Sequence, residues 1–156
     1  MKKTASLKFA GLALLGSFAL AACNQASVSG STKTTNFAAP TTPVVGYTVQ
    51  AGKAAISDLN TKDTVTILTA TGLKASTLYV AHYHAQGTGV NATKPPCESG
   101  GAIVDGMIGM ATTSAADGSL TIKGFTPTTN ISTAKYINIH ENASLAIVPL
   151  CADLTK

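Results

Sequence analysis

Leu78-Tyr79-Val80-Ala81-His82-Tyr83-His84-Ala85 is a run of strand-forming residues that carries two imidazoles two positions apart. A strand sends alternate side chains to the same face, so His82 and His84 are expected side by side on one surface. The chain has only three histidines. The third, His140, ends a second strand-like run, Tyr136-Ile137-Asn138-Ile139-His140. If the fold brings the two runs together, three ring nitrogens converge. Ligands at roughly 2 Å from one metal would lie within about 3 to 4 Å of one another.

The rest of the chain repeats the strand pattern. Short apolar and β-branched runs, broken by Gly, Asp, Asn and Pro, cover Val44 to Gln50, Ala54 to Ser57, Thr64 to Ala70, Thr77 to Ala85, Ala102 to Met110, Ser119 to Phe125, Lys135 to His140 and Leu145 to Leu150. Thr64-Val65-Thr66-Ile67-Leu68-Thr69-Ala70 alternates hydroxyl and aliphatic positions, the pattern of a half-buried strand. Thr71-Gly72, Asp117-Gly118 and Pro127 supply turn chemistry between runs. No window has a helical period. About eight strands joined by short turns predict an all-β domain, a Greek-key antiparallel sandwich or barrel. One connection, Gln86 to Gly101, is unusually long, leaves directly after the histidine pair and carries Cys97. Long loops in compact domains are usually functional or need fastening.

The N-terminus has a different character. Met1-Lys2-Lys3-Thr4-Ala5-Ser6-Leu7-Lys8 is cationic, and the apolar run from Phe9 to Ala22 suits the h-region of a signal peptide better than a membrane span. Leu20-Ala21-Ala22-Cys23 resembles the lipobox of bacterial lipoproteins, which implies cleavage after residue 22 and lipid modification of Cys23. The resulting expectation is a signal peptide over 1–22, a tether over 23–42 and a folded domain over 43–156. Asn24 to Thr42 is Ser, Thr, Asn, Ala and Lys with almost no large apolar residue, so it is read as a flexible link between lipid and domain. The protein is expected in a bacterial cell envelope, anchored to a membrane and facing the periplasm or the exterior.

Removing the signal takes Lys2, Lys3 and Lys8 with it, leaving eight lysines against seven carboxylates, a net charge of +1 instead of +4. There is no arginine and no tryptophan. Nucleic-acid recognition, which leans on guanidinium forks and stacked aromatics, is therefore not expected. With Cys23 lipidated, Cys97 and Cys151 remain. In an oxidising compartment they are most simply a disulfide, worth roughly 4 kcal/mol in the chain-entropy model; the alternative is that they are metal ligands.

Ala81-His82-Tyr83-His84-Ala85-Gln86-Gly87, a Gly-rich loop with Cys97-Glu98-Ser99-Gly100-Gly101, then Ala116-Asp117-Gly118-Ser119, Ile137-Asn138-Ile139-His140-Glu141-Asn142-Ala143 and a late Cys151 together resemble the copper/zinc superoxide dismutases in order and spacing. The resemblance covers roughly Val44 to Leu154. It implies that His82, His84 and His140 are copper ligands and that Cys97 pairs with Cys151. It also implies superoxide as substrate and a place in defence against oxidative stress. The chain departs from the family in having no histidine between His84 and His140, where the bridging and zinc histidines lie. Asp105 matches the zinc-binding Asp, but tetrahedral zinc wants three or four protein ligands, so no zinc is expected. The family's arginine that guides superoxide is missing too, which leaves Lys94, Lys123 or Lys135 to supply local positive field.

A second resemblance points elsewhere. His-x-His on one strand with Tyr136-x-Asn138-x-His140 on a later one is similar to the chordin-type domains of bacterial secreted proteins. Two functions follow. One is a copper-only enzyme of the dismutase type, slowed by the loss of the bridging histidine; the other is a non-enzymatic module that sequesters copper or serves a structural role.

Overall fold

The computed structural model describes residues 25–47 and 49–155. The expected signal peptide and the lipidated Cys23 lie outside the described residues. Within them the chain forms nine strands: β1 (Lys33–Phe37), β2 (Ala51–Asp58), β3 (Asp63–Thr71), β4 (Leu78–His84), β5 (Ile103–Met107), β6 (Thr112–Thr113), β7 (Leu120–Pro127), β8 (Tyr136–Glu141) and β9 (Leu150–Asp153). The all-β expectation holds. One sheet runs β1-β2-β3-β7 and the other β5-β4-β8-β9, with β6 also on β4, and every pairing is antiparallel. β3 lies beside β7 and β4 beside β8, so the chain crosses repeatedly between the layers, as a Greek key does.

The core fills the space between the sheets. Leu68, Leu120 and Ile122 from one sheet meet Tyr79, Ala81, Tyr83, Ile137, Ile139 and Leu150 from the other. β7 shows the cleanest alternation: Leu120, Ile122 and Thr126 are buried while Thr121, Lys123 and Phe125 face outward. In the first half of β3 the alternation is inverted relative to polarity, because Thr64 and Thr66 are buried in line with Leu68 and Ala70 while Ile67 is 40% exposed. The inward hydroxyls are satisfied: Thr66 Oγ1 lies 2.5 Å from the Tyr83 hydroxyl, and Thr64 Oγ1 donates to Asp58 Oδ1 at 2.7 Å. Paired in this way they cost little, which is why a threonine-rich strand can line a core.

Three expectations are corrected. Lys33 to Phe37 is no tether but the edge strand β1, paired with β2 from Lys33↔Ile56 to Phe37↔Gly52. Its end continues onto the other sheet, where Ala38 and Cys151 exchange backbone hydrogen bonds of 2.9 and 3.0 Å, so this strand joins the two layers along one seam. The folded unit therefore begins upstream of residue 43, with Val28 already bridged to Leu59. The described residues of Val44 to Gln50 form no strand. β1 already occupies the edge of β2 that it would need, and Val45 and Val49 stay exposed. Leu145 to Leu150 is a strand only from Leu150; the preceding residues fold over the outside of β8, with the Ile147 amide donating to Ser144 at 2.9 Å.

The opposite seam depends on two glycines. The amide of Ile108, between β5 and β6, donates to Ala81 O, so both short strands follow one edge of β4. Between them Gly109 has φ +69°, and a Cβ there would stand 2.2 Å from Lys123 O; a Cβ on Gly124 of β7 would stand 2.2 Å from Gly109 N. Only glycine on both chains lets the edge of one sheet touch the other.

Candidate metal centre

β4 and β8 are buried on both faces. Tyr79, Ala81 and Tyr83 point into the core, so Val80, His82 and His84 point away from it. The register pairs Val80 with His140, His82 with Asn138 and His84 with Tyr136. Directly opposed residues share a face, which brings all three histidines together on the outside of this sheet. The long loop covers them from one side and the segment after β8 from the other.

The cluster is tight and dry. His82, His84 and His140 are 6%, 7% and 4% exposed. One ring nitrogen from each lies within 4.8 Å of the others, and among the described residues they are the one such grouping of three or more His, Cys, Asp or Glu side chains able to hold a metal. The closest approach, His84 Nε2 to His140 Nε2, is 3.4 Å. This pair meets the 3 to 4 Å expected of ligands to one ion. The full spread reaches 4.8 Å, wider than that separation.

Backbone carbonyls fix which nitrogens are free. His84 Nδ1 donates to Gly101 O at 2.9 Å, and His140 Nδ1 donates to Leu145 O at 2.6 Å. Burial holds both rings below the usual histidine pKa, His140 down to about 4, so each is neutral near pH 7 and carries its one proton on Nδ1. The two Nε2 atoms then face each other as lone pairs, which cannot hydrogen-bond. His82, whose pKa is lowered by burial and then by the neighbouring His84, has a buried Nδ1 without any partner. Two unprotonated nitrogens turned toward each other, with a third neutral imidazole beside them whose Nδ1 has no partner, fit a cation. Neutral imidazoles oriented through carbonyl hydrogen bonds are the usual form of a metal-ligating histidine.

The loop and β8 hold the histidine rings in place. Gly101 O also accepts the Tyr136 hydroxyl at 3.2 Å, and the Tyr136 ring stacks on His84 with centroids 4.8 Å apart and planes at 12°. A Cβ on Gly101 would sit 1.8 Å from Ala85 O, so the loop closes over His84 only with glycine there. Fully buried Ser99 accepts from Gly87 N at 3.0 Å and donates to Pro96 O at 2.7 Å, bracing the loop. The Cys97–Cys151 disulfide fastens it to β9 across a sequence separation of 54 residues, with Cα atoms 5.9 Å apart. That pairing decides between the two roles open to the cysteines.

Asn138 was not singled out for the site by sequence. Its Oδ1, beside His82, is buried and without a partner, and it and His82 Nδ1 are the two such side-chain atoms among the described residues. The same period of two that joins His82 to His84 places Tyr136 and Asn138 on the face of His140, so the signal was present. Tyr83 and Glu141, by contrast, point to the other side. Tyr83 bonds Thr66 in the core, and Glu141 takes Lys74 Nζ at 2.6 Å and the Tyr47 hydroxyl at 2.7 Å. Those donors hold the Glu141 carboxyl below its usual pKa. Asp105 is not among the clustered residues. Lys123 lies on the outer face of the other sheet, beside Phe125, and offers the histidines nothing.

Comparison with known proteins leaves the geometry as the basis for function. No protein-family model matches the chain, and no curated protein is similar to it at a significant level.

Proposed function

We propose that His82, His84 and His140 hold a single copper ion, and that the protein is a superoxide dismutase-like envelope lipoprotein with a reduced, copper-only centre. The observation that carries this is the set of three neutral imidazoles whose donor-free nitrogens converge behind two carbonyl-fixed tautomers. Three nitrogen ligands without a carboxylate or thiolate favour copper over the other first-row divalent ions. The ordered resemblance of His-x-His, loop cysteine, His-Glu and late cysteine to the dismutases supports the same choice. Copper held this way supplies one-electron chemistry by cycling between its two oxidation states, as dismutation of superoxide requires. The chain's own residues set the ligand orientation, keep water out with Tyr136 and the loop, and hold the ligands unprotonated near neutrality.

The second reading is a copper-sequestering module on the same site. It is favoured by the missing bridging histidine and the missing arginine. Metal analysis after refolding with copper, beside superoxide turnover by wild type and His140→Ala, separates the two. One copper per chain with turnover lost in His140→Ala is expected for the enzyme. Copper bound without turnover leaves the sequestering module, and no copper bound sinks both.

A further inference from the structure

Apart from Met1, the chain has two methionines, and both fall in the four-residue stretch Met107-Ile108-Gly109-Met110. Methionine is ordinarily a core residue. Here Ile108 is 1% exposed while Met107 and Met110 are 48% and 80% exposed, so the segment buries its isoleucine and presents both thioethers to solvent. Met107 is also the β5 partner of His82 in the β4–β5 register. Opposed residues on an antiparallel pair share a face, with Cβ atoms about 4.5 to 5.5 Å apart. The row across the sheet thus reads Met107, His82, Asn138, Cys151.

We propose that Met107 and Met110 form a capture site for monovalent copper at the rim of the histidine cluster, from which the ion passes inward to His82. Thioether sulfur is a soft, uncharged ligand that selects Cu(I), whereas imidazole accepts either oxidation state. Solvent reaches Met107 but hardly reaches His82, and His82 Nδ1 is buried without a partner. An ion taken up by the exposed sulfurs therefore finds the unpaired nitrogen one cross-strand step further in. Packing of Gly109 against Lys123 O fixes the bend between the two methionines, so both are carried on an anchored edge. Transfer changes ligands only, without electron or proton exchange.

The inference rests on the copper reading of the histidine cluster, and its test separates the two. The full-length protein, labelled at the methionine methyl groups and kept reduced in metal, is titrated with Ag(I) as a redox-inert stand-in for Cu(I). Copper occupancy of the histidines is then followed after anaerobic Cu(I) addition against a chromophoric chelator, and separately after Cu(II) addition. The variant is Met107→Leu with Met110→Leu, a swap that keeps volume and apolarity and is expected to fold. In wild type the Met107 and Met110 methyl resonances shift with the first equivalent of Ag(I). The double variant loads from Cu(I) at least tenfold more slowly and from Cu(II) at the wild-type rate. Silent methionine resonances, or equal Cu(I) loading in the double variant, overturn the capture site while leaving the copper centre standing. No uptake of Cu(II) added directly overturns the proposed function, and the hand-over with it.

Discussion

His84 and His140 each commit Nδ1 to a backbone carbonyl and turn Nε2 toward the other ring, so the apoprotein buries repulsive lone pairs. This gives a pH dependence with a definite sign. Burial lowers the folded-state pKa of His140 from 6.5 to about 4 and lowers those of His82 and His84 as well. A group depressed on folding binds more protons when unfolded, so its contribution is present above the unfolded pKa and is lost as pH falls toward the folded one. Metal-free protein should lose stability between about pH 6.5 and 4, on the order of 2 kcal/mol from His140 alone after allowance for screening. Urea midpoints across that range check this. His140→Ala should flatten the profile, and a retained full slope would contradict the assignment. Glu141→Gln offers a contrast one residue away. It loses the charge-assisted bonds to Lys74 and Tyr47 and should cost about 1 to 2 kcal/mol with copper affinity unchanged, because the side chain points to the opposite face.

At the scale of elements, β1 shows where composition misleads. Lys33-Thr34-Thr35-Asn36-Phe37 has one large apolar residue among polar ones, which fits a solvated link as well as it fits an edge strand. Phe37, 5% exposed, joins the core, while the pairing with β2 and the contact of Ala38 with Cys151 are long-range facts that no local pattern encodes. By contrast β3, β4, β7 and β8 were legible, since each is long, strongly patterned and bounded by turn residues. The histidine cluster was legible for the same reason: a period of two is local, and only the β4–β8 pairing had to be supplied by the fold. Truncation of Phe37 tests the corrected boundary. Phe37→Ala should destabilise the domain by about 3 to 4 kcal/mol, read from urea or thermal unfolding. A change under 0.5 kcal/mol would restore the tether.

For the whole molecule, the histidine face is a third layer, made of loop packed on sheet, and its attachment differs from that of the sandwich. The two sheets are joined by the core and by seams at Ala38–Cys151 and Gly109–Gly124. The loop is held at its base by the Ala85 amide on Ala102 O, by Ser99, and by the disulfide to β9. Removing the disulfide should therefore separate stability from site geometry. Cys97→Ser with Cys151→Ser frees a closed loop of 54 residues' separation, which costs roughly 4 kcal/mol in the chain-entropy model. The β-sheet circular dichroism of the remaining folded fraction should be unchanged, because Cys97 lies outside the core and both seams, and Cys151 holds its seam through backbone atoms that serine keeps. Copper affinity should fall by tenfold or more, because Gly101 O, four residues from Cys97, orients both His84 and Tyr136. Gly101→Ala should reproduce the loss of affinity with the disulfide intact, since its Cβ would meet Ala85 O and displace the same carbonyl. Wild-type copper affinity in both variants would mean that β4 and β8 alone hold the rings, and that the loop only covers them.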